Sequence, residues 1–170
     1  MLTIINNLKP FFEDCYRRIH VREYARIMRI TPPTASKLLN GMYKKGLLKK
    51  EVEKQYLLYY ANKDSELFID LSRIYWKYKL SYSGLLNFIE QQYLSPVVIL
   101  FGSLSKAEVK KDSDIDLAIF TPTKKEIDLS RYEKKLKRKI QVFVFRSIDA
   151  VKNKELLNNI LNGYKIMGEF

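Results

Sequence analysis

Three short apolar runs in the C-terminal half of the chain predict the strands of a β-sheet. The runs occupy Val97–Phe101, 117–120 and Ile140–Phe145. Each contains β-branched or aromatic residues in a stretch that is too short for a typical helix. The segments 128–139 and 153–161 instead carry the composition and spacing of helices. This half of the chain therefore predicts strands that alternate with helices.

The N-terminal third shows the helical period first and a hairpin afterwards. Apolar positions recur at helical spacing in three segments, which are 3–16, 21–28 and the stretch from Thr31 to Gly46. Thr31 followed by Pro32 is a typical helix start, and Gly46 is a typical helix end. The segments 47–53 and 55–60 then predict two strands joined by a short turn. Two short helices with a tight turn between them predict a helix-turn-helix.

Between these regions lies a segment that predicts a helical connector. Its two helices are expected over about 64–78 and 82–92, and Ser95–Pro96 then leads into the first strand of the sheet. We therefore expect three regions: an N-terminal domain at 1–62, a connector at 63–94 and a C-terminal domain at 95–170.

The charge of the chain indicates a polyanionic partner. The formal net charge is +12 over 170 residues. Residues 1–62 hold 12 Lys and Arg against 5 Asp and Glu, and the rest of the chain holds 19 against 14. The N-terminal third is the more basic part, which favours nucleic acid as its partner. The alternative is that the lysines form a solvated face that keeps the protein soluble.

Several classes of protein are disfavoured by the sequence. No segment approaches 18 consecutive apolar residues, and polar residues interrupt the N-terminus where a signal peptide would be apolar. Cys15 is a single cysteine, so an internal disulfide is excluded. His20 has no Cys or carboxylate cluster near it in sequence and is expected to be structural. The chain therefore predicts a cytoplasmic protein with no membrane partner.

The stretch from the first predicted strand to the second carries the candidate chemistry. Gly102 and Ser103 end the first strand, where a tight turn can present backbone N–H groups and a hydroxyl to a phosphate at the start of a following helix. Asp114 and Asp116 stand at the start of the next strand, and residues two apart point to the same face. Two adjacent carboxylates repel each other unless a cation such as Mg²⁺ lies between them. This combination is typical of phosphoryl-transfer sites.

The pattern Gly-Ser-x10-Asp-x-Asp resembles the signature of the nucleotidyltransferase superfamily related to DNA polymerase β, in particular its small MNT-type members. The resemblance implies that Asp114 and Asp116 hold Mg²⁺ or Mn²⁺ on the triphosphate of an NTP. It also implies that Gly102 and Ser103 bind the nucleotide. Lys106 stands in a segment that departs from many MNT-type members, and its charge is expected to steer the phosphates of the nucleotide. A nucleotide monophosphate would then pass to a hydroxyl acceptor.

The chain departs from that family at the third carboxylate. Members generally carry an acid on the strand after the Asp-x-Asp strand, and Gln141 stands in the corresponding place here. An amide oxygen can ligate a metal ion, but it brings no charge and cannot accept a proton. Gln141 is therefore a metal ligand of lower expected affinity, and triphosphate binding should survive the change better than transfer does.

The segment from Tyr24 to Leu48 resembles the winged-helix DNA-binding domains of prokaryotic regulators, with the hairpin as the wing. The resemblance implies that the second helix of the pair reads bases or phosphates, and that lysines beyond it contact the backbone. The implied readers are Thr34, Ser36, Lys37 and Asn40, and the implied backbone contacts are Lys44, Lys45, Lys49 and Lys50. Winged helices also serve as protein-interaction or dimerisation modules, which is the alternative.

Taken over its whole length, the chain resembles archaeal winged-helix proteins with a nucleotidyltransferase domain. The expected fold is α+β, with an N-terminal winged helix-turn-helix, a helical connector and a C-terminal minimal nucleotidyltransferase α/β domain with a mixed sheet. The first hypothesis is an enzyme targeted to DNA or regulating its own gene. The second is a DNA-binding regulator whose C-terminal domain binds a nucleotide, a toxin-like partner protein or a second copy of the chain. A third assigns the charge to RNA, which the basic run Lys134, Lys135, Lys137, Arg138 and Lys139 would track.

Overall fold

Two β-sheets organise residues 2–170, the part of the chain that the computed structural model describes. The chain divides into two units. The first unit runs up to Tyr75 and includes Ala107–Lys111, and the second comprises Trp76–Lys106 and Asp112–Phe170. Each unit contains one of the two sheets.

The first unit has the order helix, strand, two helices and hairpin. Its strands form an antiparallel sheet in the order β1-β3-β2. The elements are α1 (Leu2–Glu13), β1 (Ile19–His20), α2 (Val21–Met28), α3 (Pro32–Lys44), β2 (Leu48–Glu53) and β3 (Tyr56–Ala61).

Local signals in the sequence account for the helix ends in this unit. The Nδ1 atom of His20 accepts a hydrogen bond from the backbone N–H of Glu23 at 3.3 Å, so His20 caps α2. Arg29 ends α2 in the left-handed conformation. Thr31 caps α3 ahead of Pro32, which confirms the predicted helix start. The single histidine therefore has a structural task in the fold.

The core of the first unit is largely aromatic. Phe11, Phe12, Tyr24 and Phe68 are fully buried, and the rings of Phe12 and Phe68 lie 5.1 Å apart. Such rings remove large apolar areas from water.

Tyr24 also makes a polar contact within this core, because its hydroxyl donates a hydrogen bond to the carbonyl oxygen of Asn7 at 2.7 Å. Replacing Tyr24 with phenylalanine is expected to lower the free energy of unfolding by about 1 kcal/mol, since one largely desolvated hydrogen bond is lost while the ring remains. Urea denaturation at 25 °C measures the change. The exposed Tyr43 supplies the control, because Tyr43→Phe should leave the unfolding midpoint in place.

Two helices take up the predicted connector, but their bounds differ from the prediction. Helix α4 runs over Glu66–Ser83 and α5 over Leu85–Gln92. The first helix was expected to end at residue 78, whereas it continues to Ser83 because no helix-breaking residue occurs before Gly84. Gly84 has a φ of 87° and separates the two helices.

The second unit is built on a four-stranded sheet in the order β6-β5-β4-β7. Strands β5 and β6 are parallel, and the other two pairs are antiparallel, which confirms the predicted mixed sheet. The elements are β4 (Val97–Phe101), β5 (Ile115–Phe120), α6 (Ser130–Leu136), β6 (Ile140–Phe145), α7 (Lys154–Leu161) and β7 (Tyr164–Met167).

Two details of this unit differ from the sequence prediction. The helix expected over 128–139 is shorter, because Lys137 takes the left-handed conformation at φ 55° and ends α6. No element was predicted for the segment after Gly163, but Tyr164–Met167 pairs with β4 as β7. Strand β4 is consequently an inner strand, and all five of its residues are buried.

The core of this sheet holds apolar side chains of β4, β5 and α7, among them Ile99, Phe101, Ala118 and Ile160. Among the described residues, no helix is long and apolar enough to cross a membrane.

Candidate functional site

The ends of three strands bring the predicted chemical residues to one edge of the second sheet. Asp116 of β5 stands opposite Phe101 of β4 on one side and Gln141 of β6 on the other. Gly102 follows directly after β4, and Asp114 directly precedes β5. Since β4 and β5 are antiparallel, the end of one lies beside the start of the other. The structure thus places Gly102, Asp114, Asp116 and Gln141 together.

Gly102 is packed against the carboxylate of Asp116. Its φ is 69°, a conformation that residues with a side chain rarely adopt. A Cβ atom at this position would overlap Oδ2 of Asp116 and approach its Cγ to 3.3 Å. Only glycine therefore allows the backbone to approach Asp116 this closely.

The segment after Gly102 is a single 3-10 turn, Gly102–Leu104, rather than the expected helix. The hydroxyl of the buried Ser105 donates a hydrogen bond to the carbonyl oxygen of Gly102 at 2.9 Å, which holds the turn closed. Ser103 is half-buried in the turn. Lys106 is exposed, and its Nζ donates to Oδ1 of Asn159 on α7 at 3.2 Å. Ser103 is thus adjacent to Gly102, while the amine of Lys106 is held at α7.

The electrostatics of the carboxylate pair favour a bound cation. Burial raises the pKa of Asp116, and the negative charge of Asp114 raises it further. Both effects reflect an ionised carboxylate that is short of stabilising partners. A cation at the pair would supply the missing positive charge and lower the pKa of Asp116.

Gln141 completes the edge with an amide. Its Nε2 donates a hydrogen bond to Oδ2 of Asp114 at 2.7 Å. The amide therefore orients Asp114 without adding charge. Among residues 2–170, no group of three or more His, Cys, Asp or Glu side chains is arranged to hold a metal ion. The donor set fits one hard cation on two carboxylates, with other oxygen ligands supplied by a phosphate group or by water.

Arg138 supports this edge from the side, which the sequence alone did not reveal. Its Nη1 donates to the carbonyl oxygen of Ser113 at 2.6 Å, and its guanidinium lies 5.1 Å from the ring centre of Trp76. The backbone N–H of Ile115 donates to the carbonyl oxygen of Lys139 at 2.9 Å. These contacts fix the start of β5, and with it Asp114.

The basic run that the RNA hypothesis invoked is divided among different contacts. Arg138 contacts the carbonyl oxygen of Ser113 and the ring of Trp76. The Nζ of Lys135 donates to the carbonyl oxygen of Ser83 at 2.8 Å, and Lys139 forms an ion pair with Glu133 at 3.3 Å. All four lysines of the run are exposed, and Arg138 is half-buried. The run is therefore largely presented to solvent, although Lys135, Arg138 and Lys139 also make contacts within the protein.

The predicted nucleic-acid residues of the first unit lie on α3 and the hairpin, in different surroundings. Asn40 is half-buried, and its Oδ1 accepts a hydrogen bond from the hydroxyl of Tyr59 at 2.9 Å. Lys49 pairs with Asp64, and the Nζ of Lys50 lies 4.2 Å from the ring centre of Tyr43. The remaining predicted residues are mainly exposed, with Ser36 half-buried: Thr34, Ser36, Lys37, Lys44 and Lys45.

A mixed sheet with a Gly-Ser turn and an Asp-x-Asp pair at one edge defines the class of nucleotidyltransferase domains. Residues 85–168 match the family model described as polymerase beta, nucleotidyltransferase. No curated protein and no solved structure matches the chain. The C-terminal half thus carries a nucleotidyltransferase domain, as its sequence predicted, and this domain implies an NTP substrate and a divalent metal.

Proposed function

We propose that the C-terminal domain transfers a nucleotide monophosphate from an NTP to a hydroxyl acceptor. The observation that carries this proposal is the contact between the backbone of Gly102 and the carboxylate of Asp116, with Asp114 beside it. The arrangement leaves the two carboxylates as a pair at a sheet edge, close to a turn that can accept phosphates.

The residues at this edge would have separate roles in binding the metal ion and the phosphates. Asp114 and Asp116 hold Mg²⁺ or Mn²⁺, and Gly102 and Ser103 bind the phosphates by backbone and hydroxyl groups. Lys106 binds a phosphate if its amine leaves Asn159, a movement that its exposure permits. The metal ion, when bound, neutralises charge on the triphosphate. The buried start of β5 keeps the two carboxylates fixed during the reaction.

Gln141 sets the expected strength of this activity. In the place of a third acid, it supports one ion rather than two, because it contributes no charge. It also cannot remove a proton from the attacking hydroxyl. We therefore propose that the domain binds a metal–NTP complex well and transfers the nucleotide slowly.

Replacing Gln141 with glutamate tests this assignment of its role. In the absence of metal, the new carboxylate should repel Asp114 and lower the melting temperature. With millimolar Mg²⁺, the variant should regain stability, and its metal-induced rise in melting temperature should exceed that of the wild type by roughly 2–4 °C, the equivalent of about 1 kcal/mol of binding. Thermal unfolding with and without Mg²⁺ measures both effects. If Mg²⁺ raised the melting temperature of the two proteins equally, residue 141 would not be part of the metal site.

For the first unit, we propose a winged helix-turn-helix that binds DNA. Support comes from its element order, from the tight turn between α2 and α3, and from the exposed Lys37, Lys44 and Lys45 on and after α3. Such a unit would target the enzyme to DNA or regulate its own gene. RNA is the alternative nucleic acid.

A second candidate function is a DNA-binding transcriptional regulator with a weak or inactive transferase domain. The hydrogen bond from Gln141 to Asp114 favours it, because an amide occupies the place where the superfamily generally has a carboxylate. The domain would then bind a nucleotide, a toxin-like partner protein or a second copy of the chain.

The experiment that separates the two candidates is label transfer. The protein is incubated with each α-labelled NTP, Mg²⁺ or Mn²⁺, and a mixture of RNA, DNA and lysate protein. An Asp114→Asn/Asp116→Asn double variant runs beside it. Label that reaches an acceptor only with the wild type establishes the enzyme and the acceptor class. No label under any condition, with DNA binding intact in both proteins, establishes the regulator.

A further inference from the structure

A groove in the first unit is separate from the transferase site. It lies between α2 and the turn of the β2–β3 hairpin and has a volume of about 1180 Å³. We call it the arginine groove and define it by Arg22 and Arg26 on α2, by Arg29 at the C-cap of α2, and by Lys54, Tyr56 and Leu57 on the hairpin.

The three arginines form one row along the groove. Arg22 and Arg26 are four residues apart and lie on one side of α2, and Arg29 follows at the C-cap of the helix. All three are exposed. Their neighbours Arg17 and Arg18 form ion pairs with Glu23 and Glu51. In the part of the chain that the structure describes, the three arginines of the row form no ion pair, so their positive charge remains available to a ligand.

The floor of the groove is apolar, and its hairpin side carries Tyr56 and Leu57 beside the charged Glu53 and Lys54. Ala25 is buried, and Ile30 and Leu58 are half-buried. Tyr56 is 63% exposed, and its ring centre lies 5.9 Å from that of His20. An exposed aromatic ring beside an apolar floor suits a flat ligand that can stack.

The hairpin turn adds a fourth cation to this side. Lys54 and Gln55 both have positive φ values, 46° and 68°, although neither is glycine. This is the two-residue turn geometry that favours Asn-Gly or Asp-Gly sequences. The turn thus accepts backbone strain while it places Lys54 at the edge of the groove, opposite α2.

From these features we propose that the arginine groove binds a single strand of nucleic acid. The arginine row and Lys54 take successive phosphates, and an unpaired base stacks on Tyr56 above the apolar floor. A groove that combines cations with an exposed aromatic ring is the general chemistry of single-strand binding. A duplex hides the faces of its bases in its own stack, so it could use the arginines but not Tyr56 or the floor. This site goes beyond the proposed function and does not depend on transferase activity.

Fluorescence anisotropy with a labelled 12-nucleotide strand, as DNA and as RNA, tests the proposal against the duplex of the same sequence. The wild type should bind the single strand, and the duplex, which the proposed helix-turn-helix also binds, serves as the comparison for each variant. In the triple variant Arg22→Gln/Arg26→Gln/Arg29→Gln, single-strand affinity should fall by about 10- to 100-fold. Its slope of log affinity against log salt should become shallower by about 2, since each phosphate contact on a single strand contributes about 0.7.

A charge-matched variant in the second unit controls for the loss of three positive charges. Lys152, Lys154 and Lys165 are exposed, and their joint replacement by glutamine should leave affinity and salt slope near the wild-type values. Circular dichroism melts check that each variant is folded.

Tyr56→Ser tests the stacking component separately. Affinity for the single strand should fall by roughly 5- to 100-fold, the range expected for one lost base stack, while the salt slope stays the same. Affinity for the duplex should not change.

Two results would overturn the proposal: wild-type single-strand binding in the arginine triple variant, or an equal loss in the lysine control. If the groove instead binds an acidic peptide that no oligonucleotide displaces, the ligand is a protein and the proposal is wrong. The Asp114→Asn/Asp116→Asn variant should bind the strand normally, so failure of the groove and failure of the transferase site are distinguishable.

Discussion

Replacing Gly102 with alanine is expected to reduce nucleotide transfer by about 100-fold or more. The new Cβ overlaps the carboxylate of Asp116, and the residue keeps a φ of 69°, so the turn, the carboxylate or both must move. A displacement of about 1 Å at a reacting centre is enough for a rate loss of this size. We also expect the free energy of unfolding to fall by about 1–3 kcal/mol, the range for a strained backbone position.

Two other glycines separate the causes of this effect. Gly84 has a φ of 87°, and its nearest atom to an added Cβ is 3.9 Å away, so Gly84→Ala carries the conformational strain without the overlap. Gly41 lies inside α3 with no atom within 4 Å, and Gly41→Ala should raise stability by about 0.5–1 kcal/mol. Neither variant should slow transfer more than about twofold. If Gly102→Ala retained wild-type transfer, the close contact with Asp116 would have no functional meaning.

Replacing Asp116 with asparagine is expected to lower transfer by roughly 1000-fold while stabilising the fold at neutral pH. The loss follows from removing a charged ligand that contributes several kcal/mol to phosphoryl transfer. The gain follows from the raised pKa of Asp116, which burial and then the charge of Asp114 produce. Opposite effects on activity and stability are typical of a residue that the site needs more than the fold does.

The raised pKa of Asp116 determines how the stability difference between Asp116→Asn and the wild type changes with pH. With a raised pKa, the folded protein holds the proton of Asp116 more tightly than the unfolded chain does. The protonated form therefore favours folding below 3.8, the ordinary pKa of an aspartate, and this contribution is lost as the pH rises through the folded-state pKa. At pH 7, Asp116→Asn should melt about 1–3 °C above the wild type, with solvent screening keeping the gain small. At pH 3 the difference should vanish.

Asp112 provides the matched control for this variant. It is an exposed aspartate in the loop that precedes β5, and Asp112→Asn should change neither transfer nor the melting temperature at pH 7. If the difference in melting temperature between Asp116→Asn and the wild type did not depend on pH, ionisation of Asp116 would not destabilise the fold.

The local features of the fold could be predicted from the sequence because each has a local cause. Strands β4 and β6 occur at their predicted bounds. β4 is an uninterrupted apolar run between Pro96 and Gly102, and β6 is apolar except for Gln141 and lies between Lys139 and Arg146. The start of α3 follows from a Thr-Pro pair. Strand β7 was missed because four residues, one of them Lys165, give too short a pattern to distinguish a strand from an irregular tail.

The candidate site could be predicted in part for the same reason. Asp114 and Asp116 are close in sequence, and strand geometry places them together. Other contacts join residues far apart in the chain, such as the bond from Tyr59 to Asn40 and the bond from Gln141 to Asp114. The arginine groove likewise needs the hairpin to fold beside α2. Such contacts depend on tertiary packing, which the pattern of one sequence does not specify.

The most direct test of the proposed function is metal binding at the carboxylate pair, measured apart from turnover. Mn²⁺ is titrated into the protein with and without a non-hydrolysable NTP analogue, and electron paramagnetic resonance counts the bound ions. We expect one Mn²⁺ per chain that binds tightly only with the nucleotide and is lost in the Asp114→Asn/Asp116→Asn variant. Nucleotide-dependent Mn²⁺ binding that persists in this variant, or none in the wild type, would contradict the assignment of this edge as the transferase site.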